Sequence, residues 1–395
     1  MSDRRRYDVS DYMGANASSA QELENLEPDP AVEHLIEKFE SGTEGPSYRL
    51  KKFDPLEARD KVLPQRDYVL PGLKPRNVGL VISPGAVGKS FLSLQTAFSI
   101  AVGFDPFGLW GGGRLNRGKA VYVNLEDEEE DIEDRWQAIN GILGDENKCP
   151  LTSVHNKEEV RKMALTREYD DLIKQNFEVW LASDFDDEDK SIAERLEEQK
   201  EGNLTIAQPD GVRADYTQQW REFIEYLASQ PTPVRLIIID TFTLASLGLD
   251  HNEARAMSDV IQILKATARI LNCAVIINHH ANKSSQTSST TDDQTAGRGS
   301  TTLTDNCRWQ INLSNMSPAD GEKRGLDTEE NEHKEWVSLN APKRNNVSNS
   351  KKTWLRRSDG GVLVVDQPPE RQEKGSNGKN GCGQKNNGGG YDDYA

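Results

Sequence analysis

A glycine-rich turn carries the residue types that cradle phosphate groups. The stretch SPGAVGKS, residues 83–90, separates the apolar run VGLVIS from an apolar pattern at helical spacing. It matches the phosphate-loop motif G-x-x-x-x-G-K-[ST] except at the first glycine, where Ser83 stands. Backbone N–H groups at such a turn bind anions, the lysine reaches the β- and γ-phosphates, and the hydroxyl binds Mg²⁺. The predicted nucleotide-binding residues are Gly85, Ala86, Val87, Gly88, Lys89 and Ser90.

Carboxylates follow two other apolar runs. Asp240 ends the run RLIIID, and the tip of a buried parallel strand lies at the ligand-binding edge of a sheet. There Asp240 can hold Mg²⁺, partly through water, and the alternative is that it caps a following helix. Glu126 and Asp127 follow the run AVYVN, where a carboxylate can act as a general base toward an attacking water. We favour Glu126 because it comes first, and the alternative is that both belong to a solvated acidic run.

Histidines and an arginine follow the last strong apolar run. His279 and His280 come after CAVIIN, and an imidazole at that edge can sense a γ-phosphate by hydrogen bonding. A metal site is not indicated there, because no carboxylate or cysteine follows at a suitable spacing. Beyond a long Ser/Thr-rich loop, Arg308 begins another strand and could reach a neighbouring subunit as an arginine finger. The alternative for Arg308 is a surface cation on a strand.

The elements that must position these residues alternate between strands and helices. Apolar β-branched runs predict strands at residues 78–83, 120–125, 177–182, 234–239 and 273–278, with shorter strands at 309–313, 335–339 and 361–365. Helical spacing predicts helices at residues 90–102 and 253–271. Strands that are apolar on both faces and separated by helices indicate an α/β fold with a mostly parallel central sheet flanked by helices.

Composition divides the chain into three parts. Residues 1–60 are polar and are expected to form a flexible arm, and residues 61–366 are expected to form the globular core. The core carries an irregular insertion at about residues 141–233. Residues 367–395 are rich in Gly and Asn and cannot bury enough apolar surface to order themselves, so a disordered tail is expected.

Charge and cysteine content exclude several classes of protein. The net charge of −17 argues against a protein coated in nucleic acid, but not against a narrow basic channel inside an acidic ring. No apolar run approaches the roughly 20 residues of a membrane span, and no apolar stretch follows the basic N-terminus as in a secretory signal. The four cysteines include no C-x-x-C pair, which argues against a disulfide framework or zinc site and predicts a reducing, cytoplasmic location.

Six blocks of sequence together resemble the RepA-type plasmid-encoded replicative helicases, which are ring-forming ATPases with a RecA-like P-loop fold. The blocks lie between residues 67 and 365 and read DYVLPGLKPRNVGLVISPGAVGKSFLSLQ, VYVNLED, LIIIDTF, IINHHANKSS, RGSTTLTDNCRWQ and TWLRRSDGGVL. The patterns H-H-A-x-K and R-G-S-x-x-x-x-D-N-x-R-W are more specific than the phosphate loop. The resemblance implies a RecA-like core that hydrolyses ATP with Mg²⁺.

The resemblance also implies roles for individual residues and partners. It assigns ATP and Mg²⁺ binding to Lys89 and Ser90, metal binding to Asp240, the catalytic base to Glu126, the γ-phosphate sensor to His280 and a trans-acting finger to Arg308. It implies a homo-hexamer around a channel for single-stranded DNA, acting in plasmid or mobile-element replication with replication initiation proteins as partners. The predicted channel contacts, by phosphate attraction, are Lys283, Arg298, Lys343 and Arg344.

Two other functions fit the same residues. One is a RecA-fold recombination or repair ATPase that binds DNA without unwinding it. The other is a non-motor regulator whose partner contacts are switched by ATP. Arg308 and the R-G-S block favour a multimeric motor over the regulator, while the sequence does not separate the two DNA-dependent ATPases.

Overall fold

The computed structural model describes residues 53–144, 168–182, 204–211, 213–281, 302–344 and 352–371. The chain divides into two compact units, Met1–Gln65 and Arg66–Ala395. In the first unit, helix α1 (Pro55–Asp60) begins at Asp54, whose side chain caps its N–H groups. The predicted tail and most of the predicted arm lie outside the described residues.

A nine-stranded sheet forms the centre of the second unit. Its strand order is β11–β10–β9–β8–β1–β7–β6–β2–β3. The strands from β8 to β3 in this order are all parallel, whereas β9, β10 and β11 add antiparallel strands beyond β8. The strands are β1 (Val78–Ser83), β2 (Lys119–Asn124), β3 (Phe177–Leu181), β6 (Val234–Asp240), β7 (Ala274–His280), β8 (Trp309–Asn315), β9 (Trp336–Arg344), β10 (Thr353–Arg357) and β11 (Leu363–Val365). Strands β4 (Ala207–Asp210) and β5 (Arg213–Tyr216) form a separate antiparallel hairpin.

Helices cover both faces of this sheet. Those that pack on one face are α2 (Lys89–Val102), α3 (Glu129–Gly144) and α4 (Glu168–Asn176). Those that pack on the other face are α5 (Gln218–Ser229), α6 (Phe242–Ala245), α7 (Ala254–Ile270) and α8 (Thr302–Asn306). A short helix α9 (Pro318–Glu322) and two 3₁₀ turns, Glu332–Glu335 and Asp359–Gly361, complete the described elements.

The pleat of β2 shows why the strand sequences are apolar throughout. Ala120 and Tyr122 contribute to the cluster beneath α2, while Val121 and Val123 contribute to the cluster beneath α7. Successive side chains of a strand point to opposite faces, so a strand covered on both sides carries no polar alternation. The predicted fold class is therefore confirmed: an α/β fold with a mostly parallel sheet between helical layers.

The strand register aligns the ends that carry the predicted site. Ser83 at the end of β1 pairs with His280 at the end of β7, and Asn124 at the end of β2 pairs with Asp240 at the end of β6. Because these strands are parallel, their carboxyl ends meet at one edge of the sheet. We call this edge the carboxyl edge, and the opposite one the amino edge.

The strands and helices predicted for the core are confirmed with shifts of a few residues at their ends. The acidic run after β2 contributes the first turns of α3, in which the acidic side chains are exposed while Ile132 is buried. Within the stretch expected to be irregular, the sequence analysis predicted β3 but missed α4, α5 and the β4–β5 hairpin. It also missed β10. Among the described residues, no helix has the length and apolar character needed to span a membrane.

Candidate functional site

The phosphate loop runs from the end of β1 to the start of α2. Ala86 and Gly88 have φ of 59° and 102°, so the chain turns through the left-handed region twice within the loop. A Cβ at Gly88 would also lie 3.3 Å from Arg357 and from Leu363. Ser83 is not among the described residues with positive φ, which is why the missing first glycine is tolerated.

Helix α2 begins directly at this loop. Its N-cap is Gly88, and no described side chain caps its first turn, so its first N–H groups can serve a bound anion. Lys89 opens the helix and is buried, and Ser90 follows it half-buried. The loop therefore combines left-handed turns, a helix start, a buried ammonium and a hydroxyl, as the sequence predicted for a nucleotide-phosphate cradle.

The Asp240 carboxylate is buried at the carboxyl edge with one oxygen still available. Its Oδ2 accepts a hydrogen bond from the Tyr122 hydroxyl at 3.0 Å. Its Oδ1 is buried and has no hydrogen-bond partner among the described residues. Burying a carboxylate oxygen without a hydrogen-bond partner costs free energy of folding unless a bound ligand contacts that oxygen. The site thus fits Mg²⁺, with Asp240 and Ser90 as the residues that would hold it, directly or through water.

Tyr122 and Asn124 are polar residues that the sequence analysis did not single out. The Asn124 side chain donates to the Tyr122 hydroxyl at 2.9 Å and to Asp127 at 2.8 Å, so a chain of hydrogen bonds runs from Asp240 to Asp127. Burial raises the pKa of Tyr122 well above its usual value, and the charge of Asp240 raises it further. The phenol therefore stays protonated and keeps donating to Asp240. The signal was present in AVYVN, where two polar side chains at i and i+2 share one strand face.

Glu126 and Asp127 occupy different surroundings. Asp127 is ion-paired with Arg135, whose two terminal nitrogens lie 2.6 and 2.8 Å from its oxygens. Burial alone would raise the pKa of Asp127, but the hydrogen bonds from Arg135 and Asn124 hold it below its usual value. The Glu126 side chain is 48% exposed, and its Oε1 lies 4.0 Å from Nε2 of His280. The carboxylate of Asp127 is therefore occupied by its ion pair with Arg135, whereas the carboxylate of Glu126 is accessible and faces His280.

His280 ends β7 beside the phosphate loop. It pairs in register with Ser83, and the next residue, Ala281, donates its N–H to the Ser83 carbonyl at 2.9 Å. His279 is buried and packs against the ring of Phe242. Only the second histidine of the pair thus reaches the carboxyl edge, and the fold brings it next to Glu126, 154 positions earlier in the sequence.

Arg308 lies at the opposite edge of the sheet. Strand β8 runs parallel to β1 with Trp309 opposite Gly79, so Arg308 lies level with Val78, at the amino ends of both strands. A strand rises about 3.3 Å per residue, and the length of β1 therefore places Arg308 roughly 17–20 Å from the phosphate loop of its own chain. The side chain is exposed. Arg308 cannot serve its own nucleotide site, which is the condition that a trans-acting residue must meet.

Arg308 is one of three basic side chains whose charges act on Lys265. Burial lowers the pKa of Lys265, and the positive charges of Arg308, Arg269 and Lys343 lower it further, against an opposing influence of Cys307. We refer to Lys265, Arg269, Arg308 and Lys343 as the amino-edge basic cluster. Its members come from α7, from the start of β8 and from β9, so the sequence alone could not bring them together.

The four predicted DNA contacts have different positions. Lys343 belongs to the amino-edge basic cluster, and its ammonium donates to the carbonyls of Thr304 at 2.8 Å and Asp305 at 3.3 Å. Arg344 ends β9, where the structure describes its main chain. Lys283 and Arg298 lie outside the described residues. Contact of these four residues with DNA stays a prediction.

Comparison with known proteins gives one family and several similar folds. A family model described as "AAA domain" matches residues 46–286, more than half of the chain. One solved ATPase domain is 14% identical, with 86% of this chain and all (100%) of that chain covered and a TM-score of 0.48. A DnaB-like replicative helicase, solved with a view to its interactions with primase, is 14% identical, with 88% and 70% covered and a TM-score of 0.46. The RadB recombinase is 17% identical, with 74% and 92% covered and a TM-score of 0.38. Likenesses of this strength carry no inference about function.

Proposed function

The chain belongs to the AAA domain family, and we propose that it is an ATP hydrolase that forms a ring and translocates on single-stranded DNA as a helicase. The observation that carries the ATPase part is the carboxyl edge. There a phosphate loop, a buried carboxylate with one oxygen that no described residue satisfies, an accessible carboxylate and an imidazole come from four adjacent strands. These are the parts that transfer of a phosphoryl group to water requires.

Each of these residues has a task in hydrolysis. Lys89 and the loop N–H groups bind the phosphates and stabilise the charge that develops during transfer. Bound Mg²⁺ would neutralise charge on the β- and γ-phosphates, and Asp240 and Ser90 would hold it. Glu126 accepts a proton from the attacking water. His280, 4.0 Å from Glu126, hydrogen-bonds the γ-phosphate and so couples its presence to the position of the base.

The proposal of a ring rests on Arg308 and on the sequence blocks shared with RepA-type plasmid helicases. Arg308 is exposed at the edge opposite its own phosphate loop, so its guanidinium would complete the site of an adjacent subunit. In a closed ring every subunit gives one such arginine and receives another, and a homo-hexamer fits this head-to-tail arrangement. The blocks H-H-A-x-K and R-G-S-x-x-x-x-D-N-x-R-W support the specific link to plasmid or mobile-element replication.

The proposed DNA path uses a basic channel in an acidic protein. Lys283, Arg298, Lys343 and Arg344 would contact phosphates of a single strand, without reading its bases. Lys343 would exchange its bonds to the Thr304 and Asp305 carbonyls for phosphate oxygens. Replication initiation proteins would bring the ring to its DNA.

We expect ATP hydrolysis to be stimulated by single-stranded DNA and a forked duplex to be unwound in an ATP-dependent reaction. DNA binding should require ATP or an analogue and, with roughly six phosphate contacts to a single strand, should weaken about 300-fold between about 50 and 200 mM salt. The measurement combines an ATPase assay with and without DNA, a salt titration and a strand-separation assay. Stimulation without unwinding would favour the recombination ATPase, and an ATPase indifferent to DNA would favour the regulator.

Glu126→Gln should preserve ATP binding and reduce hydrolysis by about 10²-fold or more, because it keeps the size of the side chain and removes the proton acceptor. Single-turnover phosphate release checks the rate, and nucleotide titration checks binding. Glu128→Gln, at an exposed acid two residues further on, is the matched control and should hydrolyse ATP at the wild-type rate. If Asp127→Asn stops hydrolysis while Glu126→Gln is mild, the assignment between the neighbours is wrong.

A further inference from the structure

Arg357, the last residue of β10, contacts the main chain of the phosphate loop. Its Nη2 donates to the carbonyl oxygens of Ala86 at 3.1 Å and Val87 at 2.8 Å, and to Oδ1 of Asn315 at 3.1 Å. Its Nε donates to the carbonyl of Lys334 at 3.1 Å. The guanidinium therefore binds two consecutive peptides of the loop in its own chain.

The positive charge of Arg357 is not neutralised by a carboxylate. In the described parts of the chain every acceptor for Arg357 is a carbonyl or amide oxygen, and no acid forms an ion pair with it. Burial lowers the pKa of Arg357, and no acidic charge opposes that change. Arg357 is half-buried, and a partly desolvated guanidinium without a counter-charge costs free energy of folding, since it stays charged at any pH at which proteins fold. An anion bound at the adjacent loop would relieve that cost.

The contacts with the loop carbonyls also fix the direction of the loop N–H groups. The carbonyl of Ala86 and the N–H of Val87 belong to one planar peptide, and so do the carbonyl of Val87 and the N–H of Gly88. In a trans peptide the carbonyl and the N–H point in opposite directions. Because Arg357 holds both carbonyls, the N–H groups of Val87 and Gly88 point away from it. These are donors that a phosphate cradle needs.

The C-terminal strands place Arg357 on this loop. The Gln95 side chain of α2 donates to the Leu363 carbonyl at 2.7 Å and accepts from the Leu363 N–H at 3.0 Å, so it pairs with β11 like a strand. Gly361 lies so close to the Phe91 ring that a Cβ there would be 2.9 Å from it. The turn after Arg357 thus packs against α2, the helix that follows the phosphate loop. Arg357 therefore acts on the phosphate loop of its own subunit.

We propose that Arg357 is a positioning residue for the diphosphate part of the nucleotide. It orients the N–H groups of Val87 and Gly88 and supplies a half-buried positive charge behind them. Both effects favour binding of the α- and β-phosphates, and neither depends on the presence of the γ-phosphate. The inference rests on the proposed function to the extent that the ligand is an adenine nucleotide.

The test compares the affinities of the full-length protein for ADP and ATP. Arg357→Gln should weaken binding of both nucleotides by a similar factor, about 10-fold, the usual size of a lost charge-assisted hydrogen bond. KM for ATP should rise in parallel, while kcat at saturating ATP stays within about twofold. Arg357→Lys keeps the charge but loses the planar fork, so its affinities should lie between those of wild type and Arg357→Gln.

Arg356→Gln is the matched control, because Arg356 is exposed and pairs with Glu335 at 3.3 Å, away from the loop. Its affinity for both nucleotides should equal that of wild type. Unchanged ADP affinity in a folded Arg357→Gln protein would overturn the inference, and so would an ATP-specific loss accompanied by lower kcat. If Arg357→Gln does not fold, Arg357→Lys decides: its ADP affinity must fall. A wild-type protein that binds neither nucleotide contradicts the proposed function as well.

Discussion

Lys89→Ala is expected to abolish measurable ATP hydrolysis. The ammonium is buried at the start of α2, where it can reach the phosphates as the loop N–H groups bind them. A cation placed there stabilises charge on the transferred phosphoryl group, and within a site that excludes water this effect exceeds what a surface charge provides. Phosphate release under saturating ATP is the measurement.

Lys174→Ala provides the control for this variant, because Lys174 is an exposed lysine on α4. It should hydrolyse ATP at the wild-type rate. Thermal melting of both variants separates a catalytic loss from unfolding. Near-normal turnover by Lys89→Ala would show that this loop is not the catalytic cradle, whatever its sequence.

The strands and the phosphate loop could be predicted from sequence because each depends on local residues. Runs such as RLIIID are apolar at every position because both strand faces are buried, and the glycine-lysine-serine turn carries its geometry in its own residues. Helix α5 could also have been predicted from the sequence. Trp220, Phe223, Ile224 and Leu227 are spaced as on one helical face, and Thr217 caps the first turn.

Pairings between distant segments could not be predicted in the same way. Tyr122 meets Asp240 only because β2 and β6 are neighbours in the sheet, although β2 lies far ahead of β6 in the chain. Arg357 reaches Val87 across 270 positions, through strands that fold back over α2. Such contacts depend on strand order, which composition and periodicity do not encode.

Arg308→Ala is expected to bind ATP normally and to lose hydrolysis by about 10³-fold or more, the effect that arginine fingers have in other nucleotide hydrolases. The reason lies in its position. It is exposed at the amino edge, too far from its own phosphate loop to touch that nucleotide. Its neighbours in the amino-edge basic cluster do not offset the loss, because a finger must reach the γ-phosphate with fixed geometry.

Arg221→Ala serves as the control for Arg308→Ala, since Arg221 is an exposed arginine on α5 paired with Glu225. The control should retain full activity. Nucleotide titration of Arg308→Ala should give the wild-type affinity, and sedimentation should show whether the oligomer persists. An Arg308→Ala protein with wild-type turnover would leave Arg308 as an ordinary surface cation.

The most direct test of a nucleotide site shared between subunits is to mix the two inactive variants and measure ATP hydrolysis. A Lys89→Ala chain still carries Arg308, and an Arg308→Ala chain still carries Lys89. Where the first contributes its arginine to the phosphate loop of the second, the site is complete. We therefore predict that hydrolysis returns on mixing, after subunits exchange. No recovery despite demonstrated exchange, or full activity of a wild-type protein that sediments as a monomer, would contradict the shared site and with it the ring.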